Sequence, residues 1–151
     1  MIRIQNETFD PNAELGRLEA LGVGAVASFT GLVRGDGGLT LLTLEHYPAM
    51  TEAALQLLAD QANARWPLAG VTIIHRVGAL APGERIVFVG TASAHRAAAL
   101  EACAFLIDRL KTDAPFWKRE TFADGRDHWV EARGSDDVAA ERWTTGKAKS
   151  C

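Results

Sequence analysis

Apolar and polar residues alternate over 2–5 (IRIQ), the period of a short strand. The pattern then turns helical through DPNAELGRLEAL, where Asp10 offers an N-cap and Pro11 the first helical position. Residues 23–34 and 39–47 are β-branched and aromatic and predict two strands joined by the mobile glycine loop 35–38. Over 48–66, Met50, Ala54, Leu57, Leu58 and Ala62 recur near the 3.6 period, predicting an amphipathic helix of about five turns with these residues inward. Two further strands, 70–80 and 85–94, are separated by the turn APGE. Residues 95–114 are rich in Ala and Leu nearly all round, which predicts the central helix, with Thr91 or Ser93 as its N-cap and little exposed surface. Pro115 disfavours helix at Ala114, so the chain should leave extended near Asp113. FWKRETF and DHWVEAR then alternate as a hairpin around ADGR.

Strands interrupted by two long helices predict an α+β fold. The expected arrangement is a two-layer sandwich, a mostly antiparallel sheet with the two long helices on one face, plus the C-terminal β-hairpin. No repeat or linker divides the 151 residues, so residues 1–136 are expected to form one domain and 137–151 a polar tail. Apolar residues make up 48% and charged residues 23%, ordinary values for a globular chain. The opening residues have no apolar core behind a basic leader and no stretch is long enough to span a membrane, so a cytoplasmic protein with no membrane role is expected. Sixteen Lys and Arg against 19 Asp and Glu give a net charge of −3, which argues against nucleic acid and leaves any anion site to a local cluster.

Such a cluster stands at 109–119, where Arg109, Lys111, Lys118 and Arg119 surround Pro115, Phe116 and Trp117. On a strand, Lys118 shares a face with Phe116 and Phe122, and burial there would disfavour the ammonium. Lys111, in the last helical turn, is brought back by the Pro115 corner, so both amines could meet within about 10 Å. The plainer alternatives are a lysine complementing the helix dipole and a strand lysine snorkelling to water. His95 and Arg96 begin the same helix, where the macrodipole is already positive. Either they hold a phosphate or carboxylate there, or they extend into solvent. Arg34 and Arg133 are further candidate anion contacts. The four histidines lack metal-ligand spacing, neither Cys103 nor Cys151 sits in a nucleophile or zinc motif, and no metal or cofactor is expected.

The segments FTGLVR, TLEHYPAMTEAAL, RWPLAGVTIIHRVGAL, PGERIVFVGTASAHRAAALEA and LKTDAPFWKRE with WVEAR resemble, in this order, the molybdopterin synthase catalytic (large) subunit family over about residues 22–143. The resemblance implies an α/β-hammerhead type of fold and a sulfurtransferase of molybdenum cofactor biosynthesis. Its substrate would be cyclic pyranopterin monophosphate, converted to the dithiolene of molybdopterin. The sulfur would come from the C-terminal Gly-Gly thiocarboxylate of a small ubiquitin-like sulfur-carrier subunit. The assembly implied is a homodimer of large subunits within a heterotetramer. Lys111 and Lys118 match the family's active-site lysines, Arg34, His95, Arg96 and Arg133 match pocket residues for phosphate and polar groups, and Phe29 and Phe116 would wall the site. His95, Arg96 or Arg133 is expected to come from the second subunit. The glycine loop 35–38 is shorter than in the family, and Ile107 stands where methionine is expected. A module that merely holds an acidic peptide tail or a phosphorylated ligand would use the same basic pocket without turnover.

Overall fold

Strands and helices follow one another as β1 (Ile2–Gln5), α1 (Pro11–Glu19), β2 (Ala25–Leu32), β3 (Leu39–His46), α2 (Pro48–Arg65), β4 (Leu68–Arg76), β5 (Gly78–Leu80), β6 (Arg85–Ser93), α3 (Arg96–Asp113), β7 (Phe116–Phe122) and β8 (Asp127–Trp129). The structure is a computed structural model that describes residues 1–130 together with Glu141 and Trp143. The α+β class and the two long helices are as the sequence predicts. The strands, however, form two four-stranded sheets, ordered β1-β4-β6-β2 and β5-β3-β7-β8, where one was expected. Every pairing is antiparallel except β1 with β4.

The split follows from one glycine. Residues 70–80 read as a single strand, but Gly78 has φ of 92°, a left-handed value that residues with a Cβ rarely adopt. The chain therefore leaves the first sheet at Arg76 and enters the second at Gly78, pairing there with Leu44. Similarly, the strands at either end of the glycine loop do not pair with each other, and β2 and β3 belong to different sheets.

Strand alternation sorts the first sheet's side chains between two cores. Val71, Ile73 and Val89 face α2 and α3, where they join Leu55, Leu58, Phe105 and Leu106. Ile74 and Phe88 face the other way, onto Phe9 just before α1 and Leu15 within it. Helix α1 thus lies opposite the two long helices, with the predicted Asp10 cap accepting from the Asn12 N–H at 3.0 Å. Its close approach needs glycine beneath it, because a Cβ at Gly90 would lie 2.5 Å from Leu18 Cδ1 and 2.9 Å from Phe88 Cε1. The second sheet has its own small core of Val33, Leu39, Leu44 and Leu80.

Two helix expectations need correction. Helix α2 buries Thr51, Leu55, Leu58, Ala59 and Ala62, a face turned from the expected one, and leaves Met50 and Leu57 each 57% exposed. Helix α3 is capped by His95 without a side-chain bond to the helix. Ser93 Oγ accepts from the His95 N–H at 3.1 Å, while the Thr91 hydroxyl donates to the Ala99 carbonyl at 2.6 Å. Helix α3 is also less enclosed than expected, with Leu100 58% exposed. Trp143 packs edge-on against Trp66 and Phe105 and donates from Nε1 to Asp108 at 2.6 Å.

The Gly90 contact predicts that Gly90→Ala destabilises the protein by about 1–3 kcal/mol through overpacking against Leu18 and Phe88. Denaturant unfolding measures this directly, and pairing the change with Leu18→Ala should recover part of the loss.

Candidate active site

Lys111 and Lys118 reach one hollow by different routes. Lys111 occupies the last turn of α3, which ends at Asp113. Ala114 is extended, with φ −78° and ψ 125°, as the following proline requires, and the chain turns directly into β7. Pairing of β7 with β3 sets Lys118 opposite Leu44 and Phe116 opposite His46. Two adjoining cavities of about 360 and 430 Å³ lie where the sheets meet, and Leu32, Arg34, Lys111, Phe116 and Lys118 line both. The first also touches Asp36 and Glu120, the second Phe29, His75 and Ile107.

The basic run at 109–119 divides by function. Arg109 bonds Asp113 at 2.7 Å and lies over the Phe105 ring, and Arg119 pairs with Asp127 at 3.4 Å near the Trp129 ring. These two guanidiniums serve the scaffold. The two lysines and Arg34 face the cavity, where Arg34 meets Asp36 only across an exposed 3.6 Å contact that contributes little. Both lysines are exposed in this single chain, contrary to the burial expected for Lys118. Trp117, on the opposite face of β7, packs edge-on against Tyr47 at 5.1 Å.

His95 and Arg96 line neither cavity. They stand exposed at the other end of α3, about 22 Å from Lys111 at 1.5 Å per residue. Within one chain they do not meet the lysines. Arg133 lies outside the described residues. Phe29, on the edge strand β2, walls the second cavity. The loop between β2 and β3 includes a short 3-10 turn, Asp36–Gly38, with Gly37 and Gly38 at φ 66° and 83°.

The sequence reading missed His75. It is 8% exposed at the end of β4, stacked on Phe116 with ring centroids 3.8 Å apart and planes 18° from parallel. Its Nδ1 lies 2.8 Å from the Arg76 carbonyl, so Nδ1 carries the hydrogen and donates. Burial pushes the imidazole down to about 4. The backbone bond opposes that shift, and the charges of Lys118, His46 and Lys111 reinforce it. The available signal was a histidine directly after the β-branched run VTII, a polar ring where a buried strand favours aliphatic residues.

Cys103 is buried, its thiol pushed up to about 11 by desolvation, so it is no nucleophile near neutral pH. Among the described residues there is no cluster of three or more metal-ligating side chains, and no helix long and apolar enough to cross a membrane.

Residues 4–113 match the sequence model of the family described as MoaE protein. The molybdopterin synthase catalytic subunit of Pseudomonas aeruginosa is 55% identical over 147 residues, covering 94% of this chain and 97% of the relative. That of Escherichia coli is 60% identical over 124 residues, covering 80% and 81%. The solved molybdopterin biosynthesis MoaE protein from Burkholderia ambifaria superposes with a TM-score of 0.82 at 49% identity, covering 95% of this chain and 97% of that one. Descent is settled by sequence and fold together: the chain belongs to the MoaE protein family.

Proposed function

We propose that this chain is the catalytic subunit of a molybdopterin synthase, moving sulfur from the C-terminal thiocarboxylate of a small ubiquitin-like carrier onto cyclic pyranopterin monophosphate to build the dithiolene of molybdopterin. The observation that carries this reading is the meeting of Lys111, Lys118 and Arg34 around one hollow, on a chain of net charge −3. Family membership and the catalytic-subunit name borne by relatives more than half identical support it. The name also implies a second subunit, which is the sulfur carrier. The chain works in the cytoplasm, and residues 1–136 act as one catalytic domain.

The chemistry asks for what the hollow offers. A thiocarboxylate tail and a phosphate ester both bring negative charge, and two ammoniums and a guanidinium offset it. Arg34 holds the phosphate through its planar fork. Lys111 and Lys118 bind the tail and stabilise the charge that shifts as sulfur leaves the acyl carbon, and either amine can hand on a proton. Phe29 and Phe116 wall the site and strengthen each cation–anion contact by displacing water. His95, Arg96 or Arg133 completes the pocket from the second copy in a homodimer.

Lys111→Ala and Lys118→Ala should each lower dithiolene formation by about a hundredfold or more, with circular dichroism and unfolding midpoint unchanged. The assay supplies the cyclic pterin and thiocarboxylated carrier. Unchanged turnover removes that lysine from the mechanism, and capture of the tail without sulfur release makes the protein a binder only. The shared site has its own test. Mixing inactive Lys111→Ala chains with inactive His95→Ala chains should restore about a quarter of wild-type turnover, since half of the randomly mixed dimers then hold one intact site. No recovery places His95 outside the partner's pocket.

A further inference from the structure

We propose that His75 is a positioning residue of the lysine pocket: its uncharged ring, tethered through Nδ1 to the Arg76 carbonyl, holds Phe116 against the cavity wall and so fixes where Lys118 presents its amine. The proposal rests on the sulfur-transfer reading for its kinetic consequences, though not for its structural ones.

The contact joins the two sheets. His75 ends β4 in the first sheet, Phe116 begins β7 in the second, and both rings line the 430 Å³ cavity with Lys111 and Lys118. A centroid separation of 3.8 Å at 18° is a near face-to-face stack, closer than the usual aromatic pair, so Phe116 has little room to tilt. His46 of β3 approaches the same phenylalanine, centroids 6.0 Å apart, with its own Nδ1 held at 3.1 Å by Thr51 Oγ1. Lys118 lies two residues beyond Phe116 and on the same face, so the stack sets the start of the segment that carries it.

Histidine suits this position for two reasons. Its ring stacks as a phenylalanine would, and its Nδ1–H also satisfies the carbonyl at Arg76, the residue before the chain changes sheets. It must also stay uncharged. Lys118 from β7, Lys111 from α3 and His46 from β3 all act on it with the same sign, Arg34 lines the same cavity, and its cross-strand partners Ile4 and Val87 are apolar. An imidazolium would add one more positive charge beneath the amines. With the ring held near a pKa of 4 against 6.5 when exposed, the unfolded chain takes up the proton first. The stability that the neutral ring contributes is therefore complete above pH 6.5 and is lost as the pH falls toward 4.

The test compares His75→Asn, which keeps a donor near the Nδ1 position but no ring, with His75→Phe, which keeps the ring without the tether. In the assay with thiocarboxylated carrier and cyclic pterin, His75→Asn should lower kcat at least about tenfold with KM within about twofold, and His75→Phe should lower it less. In protein shown by circular dichroism to remain folded, wild-type kcat should fall as the pH approaches 4, where the folded ring takes up its proton, and this fall should shrink in His75→Phe. Wild-type kcat in His75→Asn overturns the proposal. Imidazole nitrogen spectra decide it without substrate. A neutral ring protonated on Nδ1 at pH 7, with Lys118 side-chain signals distinct in wild type and averaged in His75→Asn, supports it. A charged ring, or unchanged Lys118 signals, overturns it. If wild-type protein forms no dithiolene, the functional reading fails while the spectra still judge His75.

Discussion

Like charges repel, and the arrangement of this site is organised around that fact. Lys111, Lys118 and Arg34 line both cavities of one hollow, whose acidic neighbours, Asp36 and Glu120, line only the first. At a surface the repulsion is tolerable, since two charges 4 Å apart interact by about 1 kcal/mol in water and about 4 kcal/mol at a protein surface. Both lysines are exposed, so water screens their charges. On the proposed reading, an anionic tail and a phosphate that entered the cavity would turn the mutual repulsion of these cations into shared attraction. Burial is the main reason that His75 stays neutral, and the charges of the nearby amines act in the same direction.

The scaffold meets this constraint by splitting its strands between two sheets and placing the cavity at their junction. Gly78 lets the chain step from one sheet to the other, and Pro115 ends α3 so that β7 can begin at once. Neither sheet alone builds the site. The first contributes Phe29 and His75, the second contributes Phe116 and Lys118, and the helix between them contributes Lys111. Helix α3 also acts as a spacer. Its rise separates Lys111 from His95 and Arg96 by most of its length, so only Lys111 of these cations lines this chain's cavity.

Much of this was legible in the residues themselves. The Asp10-Pro11 start of α1, the Pro115 corner, the hairpin around ADGR and the convergence of Lys111 with Lys118 all follow from local rules, in which a proline or a strand period acts over a few residues. The buried face of α2 did not. With Ala, Leu and Thr on several sides, the helix could present more than one face, and packing against β1, β4 and α3 chose Thr51, Leu55 and Leu58 over Met50 and Leu57. His75 was hidden for a related reason, since a histidine's role depends on which ring lies above it, and Phe116 is 41 residues away in sequence (116 − 75).

The chain alone therefore determined its element order, its helix stops, its α+β class and the pair of lysines, because each depends on backbone preferences or spacings within a few residues. Only the tertiary structure decided that 70–80 is two strands in two sheets and that His75 lies against Phe116 at the pocket. Those outcomes turn on contacts between elements that fold far apart in sequence, whose energies exist only once the sheets have met.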